Sequence, residues 1–162
     1  MNIKNKLEKY LNEYLKPVER KAYFGAKQKL FQEECLEDAS SINNYINDNI
    51  DESTFQTELF KYIDSKNLKD SDVYNKVNID RRLFSKIRSN KDYHPSKETV
   101  ILLGIALELD EFELENLLEK ASYSLPMNNT FDLIIRFCFK EKIFDLNQIN
   151  EFLYDHNCKI LN

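Results

Sequence analysis

The chain has 162 residues, of which 42% are hydrophobic and 31% charged, and its formal net charge is −5. This length and hydrophobic fraction are typical of one globular domain, with or without an appendage. The acidic total excludes a general nucleic-acid coat, because bulk attraction to phosphate needs an excess of Lys and Arg. It allows a site-specific binder with a local basic patch.

Cysteine usage and hydropathy favour a reduced, intracellular protein. The three cysteines, Cys35, Cys138 and Cys158, are far apart and form no C-x-x-C pair. Neither zinc nor a disulfide framework is therefore expected, and the cytoplasm is the expected compartment. The first residues show no hydrophobic run of a signal peptide. The most apolar stretch, residues 99–109, is about half the length of a membrane span and predicts a buried helix.

The first fifty residues predict a helical extension. Apolar residues at helical spacing indicate a helix over about 3–15. Pro17 ends it and can start a second helix that reaches about residue 37. A further helical turn is predicted near 41–46, and the Asn- and Asp-rich stretch 43–51 is the expected boundary.

Short helices are predicted from residue 53 onward. Ser53 is a candidate N-cap for a helix over 54–65, and Asp70 or Ser71 for a helix over 72–77. The whole chain has only two glycines and three prolines. Because these residues form most hairpin turns, their scarcity favours helices throughout.

The segment after residue 95 predicts four more helices. Ser96 can cap a helix that extends to about Leu109. Asp110 and Glu113 have the spacing of a capping box before a helix that ends near Ser122. Beyond Pro126, helices are predicted over 131–141 and 147–155.

Residues 78–97 are the most informative part of the sequence, because a short helix there has two chemically different sides. Asp80 is a good N-cap, so the helix is predicted to run from Arg81 to about Asn90. Three apolar residues share one side at helical spacing: Leu83, Phe84 and Ile87. From Arg81 through Lys91 there are five positive charges and no acid, which leaves −10 for the other 151 residues. A basic face on an acidic protein points to a polyanionic or acidic partner.

Two short helices joined by a turn of three to four residues predict a helix-turn-helix here. Asn78 occupies the position that needs positive φ, which Asn tolerates best after Gly, and Ile79 is expected to enter the core. The order of elements resembles the five-helix Cro/C1-type (XRE-like) DNA-binding domain over roughly residues 54–122. The Tyr-His-Pro-Ser loop at 93–96 and the Leu-Glu-Leu-Asp-Glu-Phe run at 107–112 are similar to segments of that family.

A closer resemblance covers residues 55 to about 154. It is carried by the strings VYNKVNIDRRLFSKIRSN, DYHPSK, ALELDE, LLEKASYSL and FDLII…INEFLY. These resemble a bacterial helix-turn-helix-like module found alone or fused to macro and other effector domains. Ser122 stands where that module usually has Gly. The expected organisation is an extension at 1–50, a helix-turn-helix core at 51–125 and C-terminal helices at 126–162 packed on the core.

The resemblance implies that the helix from Arg81 enters the major groove of double-stranded DNA, where Arg pairs with guanine through two hydrogen bonds. The candidate base-reading residues are Arg81, Arg82 and Ser85. The candidate phosphate-contacting residues are Lys86, Arg88 and Lys91, and Ser89 completes the predicted nucleic-acid-binding set. A Cro-like monomer reads one half-site, so a homodimer is expected, with the N-terminal extension as a candidate dimerisation or partner-binding element.

Other interpretations of the basic face stay open. It can be a solvated helix surface, or it can dock on an acidic protein, because helix-turn-helix folds also serve as protein-contact modules. If the basic face docks on an acidic protein, the chain is expected to be an adaptor or inhibitor in a bacterial or phage conflict system.

No other stretch of the sequence predicts a reactive site. The acidic cluster Glu111, Glu113, Glu115 and Glu119 is expected to be an exposed helix surface. Tyr93 and His94 are expected to be structural. The sequence shows no phosphate-binding glycine loop, no metal-ligand spacing and no nucleophile with an evident base, so no enzyme activity, metal or cofactor is expected.

Overall fold

The structure, a computed structural model, describes residues 3–15 and 39–162. Regular structure in these residues is α-helical, which confirms an all-α protein over the part of the chain described. The helices are α1 (Ile3–Tyr14), α2 (Ala39–Asn49), α3 (Phe55–Ser65), α4 (Asp70–Lys76), α5 (Arg81–Ser89), α6 (Lys97–Leu107), α7 (Glu111–Lys120), α8 (Thr130–Lys140) and α9 (Leu146–Asp155). The predicted helix from Pro17 to about residue 37 lies outside the described residues.

Contacts divide the chain into two units, Met1–Leu15 with Ser53–Asn162, and Lys16–Glu52. In the first unit α1 packs against α8 and buries Leu7 and Leu11. The sequence predicts a single extension over residues 1–50, whereas these contacts join its first helix to the body of the protein. That long-range packing leaves no local signal in the sequence.

Helix α2 makes up most of the described part of the second unit, residues 39–52. It extends over 11 residues and is longer than the turn predicted near 41–46. Its large apolar side chains are exposed rather than buried: Ile42, Tyr45 and Ile46, followed by Ile50.

Helix α6 is the most deeply buried helix of the first unit. Every residue from Thr99 to Leu107 is buried, which confirms the prediction of a buried helix, and α4 and α7 pack against it. A Cβ atom on Gly104 would lie 2.7 Å from Leu114 Cδ1, so glycine allows α7 to approach closely. In the described ranges no helix has the length and apolar character needed to cross a membrane.

Side-chain caps begin several helices, and three of them are as predicted. Asp80, Ser96 and Asp110 accept hydrogen bonds from the first turns of α5, α6 and α7. The predicted cap of α3 is wrong. Thr54, not Ser53, accepts from the Thr57 N–H at 3.2 Å.

Helix α4 begins earlier than predicted and has no side-chain cap. It starts at Asp70, and its N-cap residue Lys69 makes no capping side-chain hydrogen bond. The prediction that Asp70 or Ser71 caps this helix is therefore wrong. The Asp70 carboxylate is instead bound to Arg88.

Candidate nucleic-acid interface

The turn between α4 and α5 has the backbone conformation that the sequence predicts. Asn78 has a φ of 57°, and the Ile79 N–H donates to the Tyr74 carbonyl at 2.9 Å. Ile79 is buried, with 7% of its surface exposed. The turn thus ends α4 and fixes where α5 begins.

One side of α5 is held in the core. Asp80 Oδ1 accepts from the Arg82 N–H at 2.7 Å, which satisfies one of the free donors at the helix start. Phe84 and Ile87 are fully buried, and the Phe84 ring packs against the ring of Tyr74 at 5.6 Å. The apolar side predicted from helical spacing is the side that faces the protein.

The opposite side of α5 and Lys91, which lies two residues beyond the end of the helix, present free positive charge. Arg81, Arg82, Lys86 and Lys91 are all exposed, and none forms an ion pair or side-chain hydrogen bond with a described residue. Two small hydroxyl residues lie among them, and the Ser89 hydroxyl donates to the Ser85 carbonyl at 2.8 Å. These six residues are the basic face: Arg81, Arg82, Ser85, Lys86, Ser89 and Lys91.

Arg88 differs from the rest of the predicted set because it has a carboxylate partner within the protein. Its Nε lies 2.6 Å from Asp70 Oδ2 and its Nη2 lies 2.5 Å from Asp70 Oδ1. The guanidinium carbon is 4.0 Å from the centroid of the Phe60 ring. Arg88 follows the buried Phe84 by four residues, so the sequence places it at the border of the apolar side, but no local pattern identifies Asp70 as its partner.

The loop after the basic face has internal contacts of its own. The Tyr123 hydroxyl donates to the Pro95 carbonyl at 3.2 Å and lies 3.4 Å from His94 Nδ1. Tyr93 is half-buried against the core. These contacts agree with the structural role expected for Tyr93 and His94.

The acidic cluster on α7 is partly engaged by the protein. Glu111 binds Arg136 at 3.0 Å, and Glu115 binds the same guanidinium. Glu113 closes the capping box on the Asp110 N–H. Within the described residues no group of three or more His, Cys, Asp or Glu is placed to hold a metal ion.

A pocket of 490 Å³ lies where α6 and α8 begin. Its buried carboxylate, Asp132, accepts from Lys97 Nζ at 2.6 Å and from Asn129 Nδ2 at 2.5 Å. At its edge Lys159 pairs with Glu98 at 2.8 Å. The charges that line the pocket are thus balanced in pairs.

The described cysteines are free thiols. Burial raises the pKa of Cys138 to about 12, so its thiol stays protonated at neutral pH. Burial also raises the pKa of the half-buried Cys158. Cys35 lies outside the described residues.

Comparisons of the chain with protein-family models, with curated proteins and with solved structures found no match. The function is therefore inferred from the basic face and the helices that carry it.

Proposed function

We propose that the protein is a DNA-binding transcriptional regulator whose helix α5 enters the major groove of double-stranded DNA. The observation that carries this proposal is the basic face, where four exposed cations have no partner among the described residues. Leaving four cations together without counter-charges is unfavourable in an isolated protein, and phosphate groups would compensate them.

The arrangement of the helices supports the proposal. Helices α3 to α7 follow one another in the order of a Cro/C1-type domain, and α4, the turn at Asn78 and α5 correspond to its helix-turn-helix. In such motifs the second helix lies in the groove, and the residues near its start contact base edges. Here that start carries Arg81 and Arg82.

The two ends of the basic face have different proposed tasks. Arg81, Arg82 and Ser85 would read base edges, because Arg matches the two acceptors of guanine with its planar fork. Lys86 and Lys91 would contact phosphates, which fixes the register of the helix along the duplex.

The protein is proposed to act as a homodimer. The described part of one chain offers one groove-binding helix, and such a helix reads only a short half-site. Two-fold symmetric dimers bind half-sites about one helical turn apart, or roughly 10 base pairs. A selected target is therefore expected to be a palindrome with that spacing.

The test is an unbiased selection from random duplexes, followed by fluorescence anisotropy at several salt concentrations. Arg82→Ala is expected to weaken binding by about 1–3 kcal/mol and to relax the base preference at one position. Lys86→Ala is expected to weaken all duplexes alike and to reduce the salt slope by about 1. Lys9→Ala, an exposed charge on α1, is the matched control and should change neither.

A second candidate function is a protein-interaction module, such as an adaptor or inhibitor. It is favoured by the exposed apolar residues of α2, since clustered apolar surface commonly marks a protein contact. Selection that yields no preferred duplex would contradict DNA binding. One stoichiometric partner that still co-purifies from the native host after nuclease treatment would support the second function.

A further inference from the structure

We propose that Arg88 is a positioning residue for α5 and not a contact to the nucleic acid. Gln56, Phe60 and Asp70 hold it and the end of the helix in place. These four residues are named the Arg88 cluster. The inference rests on the proposed function, because it states how the groove-binding helix is oriented.

The guanidinium of Arg88 is engaged on its edge and on its face. Its edge binds both Asp70 oxygens, at 2.6 Å and 2.5 Å. Its face covers the Phe60 ring at 4.0 Å. A two-point hydrogen bond and a ring contact together restrict a planar group far more than a single ion pair does.

Gln56 fixes the same end of the helix from α3. Its side-chain amide donates to the Ile87 carbonyl at 2.8 Å and to the Arg88 carbonyl at 2.6 Å. These carbonyls lie in the last turn of α5, where helical partners are missing. The end of α5 is thus bonded to α3 through Gln56 and to α4 through Asp70.

Directional bonds matter here because apolar burial alone leaves α5 poorly oriented. Only Phe84 and Ile87 of this helix are fully buried, and the hydrophobic effect has no preferred direction. Nine residues of helix span about 13 Å, so a tilt of about 10° about the start that the turn fixes displaces the end near Lys86 and Lys91 by roughly 2 Å. The phosphate contacts proposed for these lysines set the register of Arg81 and Arg82 on the duplex, and base reading tolerates less than such a displacement.

The decisive test compares two variants that change the net charge of the protein by the same amount. Asp70→Ala and Asp72→Ala each remove one negative charge from the first turn of α4. Charge alone predicts that both bind a selected duplex equally or more tightly than the wild type. Only Asp70 holds Arg88, so Asp70→Ala is expected to bind about tenfold more weakly, while Asp72→Ala binds as well as the wild type or better.

A charge-conserving variant separates positioning from phosphate contact. Arg88→Lys keeps the positive charge but cannot bind both oxygens of Asp70 in a planar fork. If Arg88 positions α5, Arg88→Lys is expected to bind the selected duplex more weakly than the wild type, with an unchanged dependence of affinity on salt concentration. If Arg88 instead contacts phosphate, Arg88→Ala lowers the slope by about 1 and Arg88→Lys restores it, and the proposal is overturned.

Amide hydrogen exchange in the free protein completes the test. Asp70→Ala and Arg88→Lys are expected to speed exchange in α5 while leaving α6 protected, since local loosening is distinct from global unfolding. Equal protection of α5 in wild type and variants would overturn the proposal. This measurement needs no duplex, so it decides the role of the Arg88 cluster even if the wild type binds no DNA and the proposed function fails.

Discussion

At the scale of single residues, the most consequential polar contact in the core joins Lys97 and Asp132. Asp132 is 1% exposed, and the side chain of Lys97 is 26% exposed. The pair therefore links the start of α6 to the start of α8 with one partner fully shielded from water. Removing one member of such a pair leaves the other buried without its counter-charge, which is costly.

Lys97→Met is accordingly expected to lower the free energy of unfolding by about 2–3 kcal/mol, less than for a pair buried on both sides. Lys159→Met, which breaks the exposed pair with Glu98 beside the same pocket, should cost less than about 1 kcal/mol. Urea denaturation of both variants provides the measurement. Similar small losses of unfolding free energy in the two variants would show that the buried Asp132 carboxylate does not need Lys97 as its counter-charge.

The residues of α5 show which features of the candidate interface a sequence pattern predicts and which it does not. Helical spacing correctly separates the buried Phe84 and Ile87 from the exposed Arg81 and Arg82, because an amphipathic period is a local property. The pairing of Arg88 with Asp70 is not predictable in this way. It spans 18 positions and depends on how α4 and α5 pack.

At the scale of elements, six of the described helices end without glycine at a residue with positive φ. These residues are Asn67, Asn78, Glu108, Ser122, Lys142 and Asn157. In each case the next residue donates its N–H to a carbonyl in the preceding helix, as Tyr123 does to Leu118 at 2.8 Å. This hydrogen-bond pattern satisfies carbonyls at the helix end and offsets the strain of a left-handed side-chain-bearing residue.

Replacing such a residue with glycine is expected to stabilise the protein only where the native side chain is poorly suited to this conformation. Ser122→Gly should raise the free energy of unfolding by about 0.5–1 kcal/mol, because relief of strain exceeds the added freedom of the unfolded chain. Asn78→Gly should change it by less than about 0.5 kcal/mol, since Asn tolerates the conformation. Thermal denaturation of the two variants tests this, and equal shifts would contradict it.

Element boundaries were predictable where a residue type signals them. Asp80 and Ser96 are strong N-caps, and Asn78 is typical of a left-handed position. Glu108 and Lys142 carry no such signal in their side chains. Each is followed directly by an apolar residue, Leu109 or Ile143. An apolar residue at this position commonly accompanies such a helix end and is the sequence signal that marks it.

At the scale of the whole molecule, the first helix is joined to the last ones. Leu7 and Leu11 are buried, and the Tyr10 ring packs against Phe137 at 5.5 Å. Polar contacts surround this apolar interface: Lys4 with Glu151 and Asp155, Lys6 with Glu141, and Glu8 with His156. These partners are 127 to 151 positions apart and leave no local pattern, so the sequence predicted the helix but not its location.

This packing makes α1 part of the cooperative body of the protein. Leu7→Ala is expected to lower the free energy of unfolding by about 3 kcal/mol, because it opens a cavity between α1 and α8. Lys9→Ala on the exposed side of the same helix should change it by less than about 0.5 kcal/mol. Urea unfolding followed by far-ultraviolet circular dichroism should show one transition in both variants, shifted only for Leu7→Ala. A separate early loss of helix signal, with the main transition unmoved, would instead mean that α1 unfolds independently.

Duplex affinity measured well below the transition should be unchanged in Leu7→Ala, because the basic face and the Arg88 cluster belong to other helices.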